Sequence, residues 1–189
     1  GDADPYMVER EALWGLLREE MGDRTQAMLH YIRVATRDPT RVDVIRRLAE
    51  LNAQLQIWDE AVYWMQRYVQ TEPDPIAFYW SLLGEYLMGG ERTDEAQNAF
   101  RTALSFEPYS YLARFSLAEV LEEHGDLEGA IAHLEFLTVY ALDRNAEIYT
   151  RLARIYIANQ MWAEAERVLD KGARIFPTHT DIYKLRRSL

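Results

Sequence analysis

Apolar and small side chains recur along this chain at helical spacing, in paired stripes separated by short polar turns. The stretch from Ala77 to Pro108 shows it best. Trp80, Leu83, Gly84 and Leu87 share one face of a first helix, Gly89-Gly90 break it, and Ala96, Phe100, Ala103 and Leu104 mark the buried stripe of a second. Pro108 stops that helix, because proline cannot continue it and biases the preceding residue away from helical angles. Gly84 and Ala96 let the two backbones approach, while Trp80, Leu83 and Phe100 fill the space around them. The same reading predicts helices over roughly 6–20, 24–37, 41–55, 58–71, 75–88, 93–106, 109–123, 127–140, 146–158 and 162–175. Asp4 is the expected N-cap of the first, with Pro5 at its first turn, and Glu72-Pro73-Asp74-Pro75 is expected to be the stiffest joint.

The pattern recurs in register. Repeats begin at Val8, Val42, Ala77, Tyr111 and Ala146, in steps of 34, 35, 34 and 35 residues. The alanine that opens the packing face of the second helix is present in all five, as Ala27, Ala61, Ala96, Ala130 and Ala165. This arrangement resembles the tetratricopeptide repeat (TPR), whose signature is W-x2-L-G-x2-Y, then A-x3-F, then P. Trp80, Leu83, Gly84, Ala96, Phe100, Ala103 and Pro108 match it, and Leu87 stands where tyrosine is commonest. The resemblance implies an all-α chain, a right-handed α-α superhelix of antiparallel helix pairs. Its five repeats would span 8–41, 42–76, 77–110, 111–145 and 146–179, with residues 1–7 leading into the first helix and 180–189 forming a capping helix.

Some positions depart from the signature. Glu11 and Arg18 occupy packing positions of the first repeat, Arg114 takes the tryptophan position of the fourth, and Leu142 replaces its closing proline. Tyr68 and Leu137 are bulky where alanine is usual. Trp14, Trp58, Trp80 and Trp162 fall on packing positions and read as core, whereas Tyr63 is expected to point outward.

Composition narrows the functional classes. Net charge is −10, with 19 Arg and only 2 Lys, which argues against general nucleic-acid binding. No apolar run approaches the ~18 residues of a membrane span. Cysteine is absent, so disulfides and thiolate metal sites are excluded, and the compartment is left open between cytoplasm and periplasm. The four histidines (His30, His124, His133, His179) have no metal-ligand spacing, and His30 and His133 share one repeat position. Phosphate loops, nucleophile elbows and kinase motifs are missing, and adjacent pairs such as Glu19-Glu20 diverge on a helix. The sequence therefore predicts no catalytic residues, no metal and no cofactor.

What the resemblance leaves is a groove lined by first helices, where repeat positions 2, 5, 9, 12 and 13 face inward. Those positions hold ten acids against two arginines, with Glu50, Glu85 and Glu119 at position 9 of successive repeats. The candidate partner-binding residues are Arg46, Glu50, Phe78, Ser81, Glu85, Met88, Leu112, Phe115, Glu119, Glu122 and Arg154. The expected ligand is a protein or peptide segment, basic or amphipathic and carrying apolar anchors, held by a non-catalytic scaffold. The positions that clamp a chaperone's C-terminal carboxylate in some TPR domains here read Ala12, Leu16, Arg47, Phe78 and Leu82, which argues against that ligand. Two alternatives stand beside the adaptor. One is an assembly module cut from a larger enzyme or secretion complex at Gly1; the other is a scaffold that self-associates into a homo-oligomer.

Overall fold

The computed structural model describes residues 6–72, 76–141 and 145–189. Eleven helices and no strands occur among the described residues: α1 Met7–Glu20, α2 Arg24–Arg37, α3 Val42–Gln54, α4 Trp58–Thr71, α5 Ala77–Gly89, α6 Thr93–Phe106, α7 Tyr111–Glu123, α8 Leu127–Tyr140, α9 Glu147–Ala158, α10 Trp162–Ile175 and α11 Thr180–Arg187. Each of the first ten lies within two residues of its expected span. The expected cap at Asp4-Pro5, the Pro73–Pro75 joint and Leu142 lie outside the described residues.

The chain divides into two compact units, one up to Ala99 and one from Phe100 onward. In the first, α1 packs on α2 and α3 on α4, with α2 against α3 and α4 against α5 joining successive pairs. In the second, α7 packs on α8 and α9 on α10, α8 meets α9, and α11 lies over α9 and α10 with Ile182 fully buried. The same repeat positions supply the core throughout. Ala27, Ala61, Ala96, Ala130 and Ala165 are fully buried, and so are Tyr31, Met65, Phe100, Leu134 and Leu169 four residues later. Small residues at one position and large ones at the other are what close helix packing requires.

All five turns between the helices of a repeat are built alike. The fifteenth residue of each repeat has left-handed backbone: Gly22 (φ 78°), Gln56 (58°), Glu91 (59°), Gly125 (77°) and Gln160 (60°). In each turn the next N–H reaches back five residues, as in Asp23 N to Arg18 O at 2.9 Å and Met161 N to Tyr156 O at 2.9 Å. This is the Schellman closure of a helix C-terminus. Glycine provides it without strain at two positions, whereas Gln56, Glu91 and Gln160 carry a Cβ in a region that disfavours one. After the two glycines, Asp23 and Asp126 cap the following helix through Gln26 N (3.2 Å) and Gly129 N (3.0 Å).

Two core assignments need correction. Trp14 is 45% exposed and Trp162 51% exposed. No described helix precedes α1 to cover Trp14. Trp58, at the same repeat position as Trp162, lies so close to the end of the following first helix that a Cβ on Gly89 would sit 2.7 Å from its ring. Trp162 lacks that cover because α11 ends at Arg187, too short to present the equivalent turn.

Candidate functional site

In the first unit, Glu50 of α3 and Glu85 of α5 line a cleft of about 570 Å³, together with Ala53, Gln54, Trp58, Leu82 and Tyr86. The period-3.6 spacing of α3 and α5 puts their buried stripes on one side and Glu50, Ala53, Gln54, Leu82 and Glu85 on the other, with Tyr86 at the edge of the buried stripe. Arg46 donates to Glu50 at 2.6 Å, one turn away on the same helix. Burial, with the Glu50 and Glu85 carboxylates behind it, pushes the Tyr86 phenol well above its usual range, so both acids bear on one buried ring. Phe78 is 51% exposed and edge-on to Tyr79 at 5.4 Å, and Met88 is half-buried.

In the second unit, the Arg151 guanidinium of α9 donates to Glu119 and, at 2.8 Å, to Glu122, both on α7. It lies 5.7 Å from the Phe115 ring, which stacks on Tyr111 at 5.8 Å. Leu112 is half-buried and Arg154 exposed.

The structure changes the expected list in two ways. Ser81 is fully buried and its hydroxyl donates to the Ala77 carbonyl of its own helix (2.9 Å), so it cannot meet a partner. Thr150, at the same repeat position, is also buried and bonds to Glu147 O. The position is thus closed off at α5 and α9, whereas Arg46 and Phe115, which share it, stay half-buried. Second, the acids are not a bare ladder. Arg41 pairs with Glu9 (2.8 Å) and Asp43 (3.0 Å), Arg46 with Glu50, Arg47 with Glu19 (2.9 Å), and Arg151 with Glu119 and Glu122. At least six of the ten acids read from the groove positions thus have an arginine within salt-bridge distance.

Arg47 and Arg151 occupy repeat position 6, outside the positions 2, 5, 9, 12 and 13 from which the candidate residues are read. Each reaches position 12 of the preceding repeat, across 28 and 29 residues of chain. An arginine at position 6 following a glutamate at position 12 is the signal that finds them.

Among the described residues no group of three or more His, Asp or Glu is arranged to hold a metal, and no helix is long and apolar enough to cross a membrane.

Family profiles for the tetratricopeptide repeat match residues 13–75 and 81–135, and a second such profile matches 140–189. Similar solved structures include the MamA protein, at 17% identity over 92% of this chain and 94% of that one (TM-score 0.83). MamA 41-end from Desulfovibrio magneticus RS-1 is similar at 12% identity over 95% and 98% (TM-score 0.78). So is YrrB, described as a TPR protein with an unusual peptide-binding site, at 16% identity over 94% and 90% (TM-score 0.77). At such identities the likeness is one of fold. No curated protein sequence matches the chain. With the repeat profiles spanning most of its length and its helices paired as they require, the chain belongs to the tetratricopeptide repeat family and has that family's all-α solenoid fold.

Proposed function

We propose that this protein is a non-catalytic adaptor whose first-helix faces hold a segment of a partner protein, basic and carrying an apolar anchor. The observation that carries the reading is the cleft of the first unit, where Glu50 and Glu85 stand beside Leu82, Trp58 and the cleft wall of Tyr86. Exposed Phe78 on the same helix adds apolar surface. Such a cleft offers an anchor pocket with carboxylates at its rim, the arrangement that gives affinity from burial and register from charge. The Arg46–Glu50 bond tempers the acidity of the cleft's α3 side. YrrB, alike in fold, is a described peptide binder, which supports the class of ligand and not its sequence.

The test is a fluorescence titration with a labelled basic amphipathic peptide and with its acidic counterpart. The basic peptide is expected to bind more tightly and to weaken with salt. Glu85→Gln with Phe78→Ser is expected to reduce its affinity about ten-fold while leaving helical circular dichroism unchanged. Unaltered binding in that variant would remove the first-unit cleft from the proposal.

A further inference from the structure

The second helices of this chain turn one face to solvent, and in α8 that face is of an unusual kind. Where α4 carries Arg67, Gln70 and Thr71, the same repeat positions of α8 carry Phe136, Val139 and Tyr140. Val139 is 57% and Tyr140 61% exposed. The aromatic side chains are ordered against one another: Phe136 stacks on Tyr140 at 4.3 Å, and Tyr109 meets Tyr140 edge-on at 5.3 Å. Phe136 is itself half-buried, with the Arg114 guanidinium 3.5 Å over its ring, so the exposed apolar surface is that of Tyr109 (63%), Val139 and Tyr140. An apolar patch of this kind marks a contact surface.

Beside it runs a cleft of about 670 Å³ between α8 and α10. Its α10 wall presents Arg167, Lys171 and Arg174, spaced i, i+4, i+7 and so aligned along about 10 Å of one helix face. None of the three forms an ion pair among the described residues, although Lys171 donates to Thr138 O (2.7 Å) and Arg174 to Asp170 O (3.2 Å). The acid lining the cleft is Glu135, one oxygen of which accepts from the Tyr156 hydroxyl at 2.6 Å. Elsewhere Arg41, Arg46, Arg47, Arg92 and Arg151 stand within salt-bridge distance of carboxylates, while Arg114 meets His133 and Phe136 instead. Here, in a protein of net charge −10, the residues lining the cleft include three cations and one carboxylate.

We infer that the α8–α10 face of the second unit is a second docking surface, and that it takes an acidic amphipathic helix of a partner protein. The cations on α10 would meet its carboxylates, and Val139, Tyr140 and Tyr109 would cover its apolar stripe. Charge complementarity selects this occupant: a basic segment would be repelled by the α10 row, and a neutral apolar one would leave three cations facing it.

The probe is a fluorescein-labelled helical peptide of about 15 residues, with glutamates at i, i+4 and i+7 beside a leucine stripe, together with a version bearing lysine for every glutamate. Saturable binding of the acidic peptide is expected, weakening about ten-fold between low and high salt. A similar loss is expected in Arg167→Glu with Arg174→Glu, and a smaller one in Val139→Ser; all three sites are exposed, so the fold should survive. Glu85→Gln, in the other unit, should leave this binding unchanged and so separates it from the first-helix site. Absence of saturable binding, equal binding of the lysine peptide, or indifference to the charge reversals would overturn the inference. Concentration-dependent self-association in sedimentation, abolished by the same reversals, would make a second copy the occupant and would overturn it equally.

Discussion

In the first unit, Glu11 of α1 accepts a hydrogen bond from His30 of α2 at 2.7 Å and faces Arg33 at 3.3 Å. In the second unit the same three repeat positions hold Arg114, His133 and Phe136. There Arg114 donates to the His133 ring at 3.2 Å, lays its guanidinium 3.5 Å over Phe136, and bonds Pro108 O at 2.8 Å. Both departures from the repeat signature are thus explained by their partners. The seam between paired helices demands a filled contact, and an acid–histidine pair or a cation–aromatic stack meets that demand. The surroundings differ in step. Up to Ala99 the chain has 18 acidic and 10 basic residues, and from Phe100 it has 13 and 11.

The largest test of the comparison asks whether the two units share one core rule despite these seams. Leu48 and Leu152 occupy the same repeat position and are fully buried. Truncation of either to alanine should cost ~2–5 kcal/mol, read by denaturant unfolding. Loss of hydrogen-exchange protection should centre on the repeat altered. Trp14, one of their counterparts and 45% exposed, should cost far less when replaced by alanine; an equal cost would mean that α1 is covered after all.

A second set concerns the turns. Gly22→Ala and Gly125→Ala, at φ 78° and 77°, should each destabilise by ~1–2 kcal/mol. Gln56→Gly, Glu91→Gly and Gln160→Gly should stabilise, or at least cost nothing, because the left-handed strain they relieve exceeds glycine's entropy cost of ~0.5–1 kcal/mol. Thermal melts of the five variants would show it, and a destabilised Gln160→Gly would refute the shared-turn reading.

Acid should separate the two seams. Burial, with Arg114 and Arg101 nearby, holds His133 below its usual 6.5. The unfolded chain therefore binds a proton that the folded one resists, so this contribution is full above pH 6.5 and fades as pH falls below it. Glu11 is held below its usual 4.5, chiefly by the His30 hydrogen bond and then by Arg33, against the opposing effect of burial. Its contribution persists above that value and is lost only at lower pH. Hydrogen exchange across a pH series should show α7 and α8 loosening before α1 and α2, and His133→Gln should remove the earlier step. The smallest effect is expected at Arg47→Gln and Arg151→Gln, at most ~1 kcal/mol each, since their carboxylate partners are partly solvated.

Much of the fold was legible because burial at a repeat position is a local matter. A 34- or 35-residue period with alanine at one position and a large apolar residue four later leaves helices little freedom in where they start and stop. The site was less legible. Position 5 looked inward by analogy, yet Ser81 and Thr150 turned out to be buried, because a small side chain there lets the neighbouring helix close over it. The acidic ladder read from first helices alone omitted Arg47 and Arg151, since their carboxylates sit 28 and 29 residues earlier, in the preceding repeat. The apolar outer face of α8 escaped the sequence reading, since its meaning depended on the cations of α10 standing across a cleft from it.

By itself, the amino-acid order determined an all-α chain of paired helices, where each helix lies, and which small and large residues meet inside each pair. Helical periodicity and chain connectivity suffice for that, because the contacts concerned are close in sequence or repeat identically. Only the tertiary structure decided which arginine neutralises which glutamate, which tryptophans stay uncovered and where unpaired cations gather. Those outcomes turn on the reach of long side chains across helix interfaces, where a displacement of a few ångströms exchanges one partner for another.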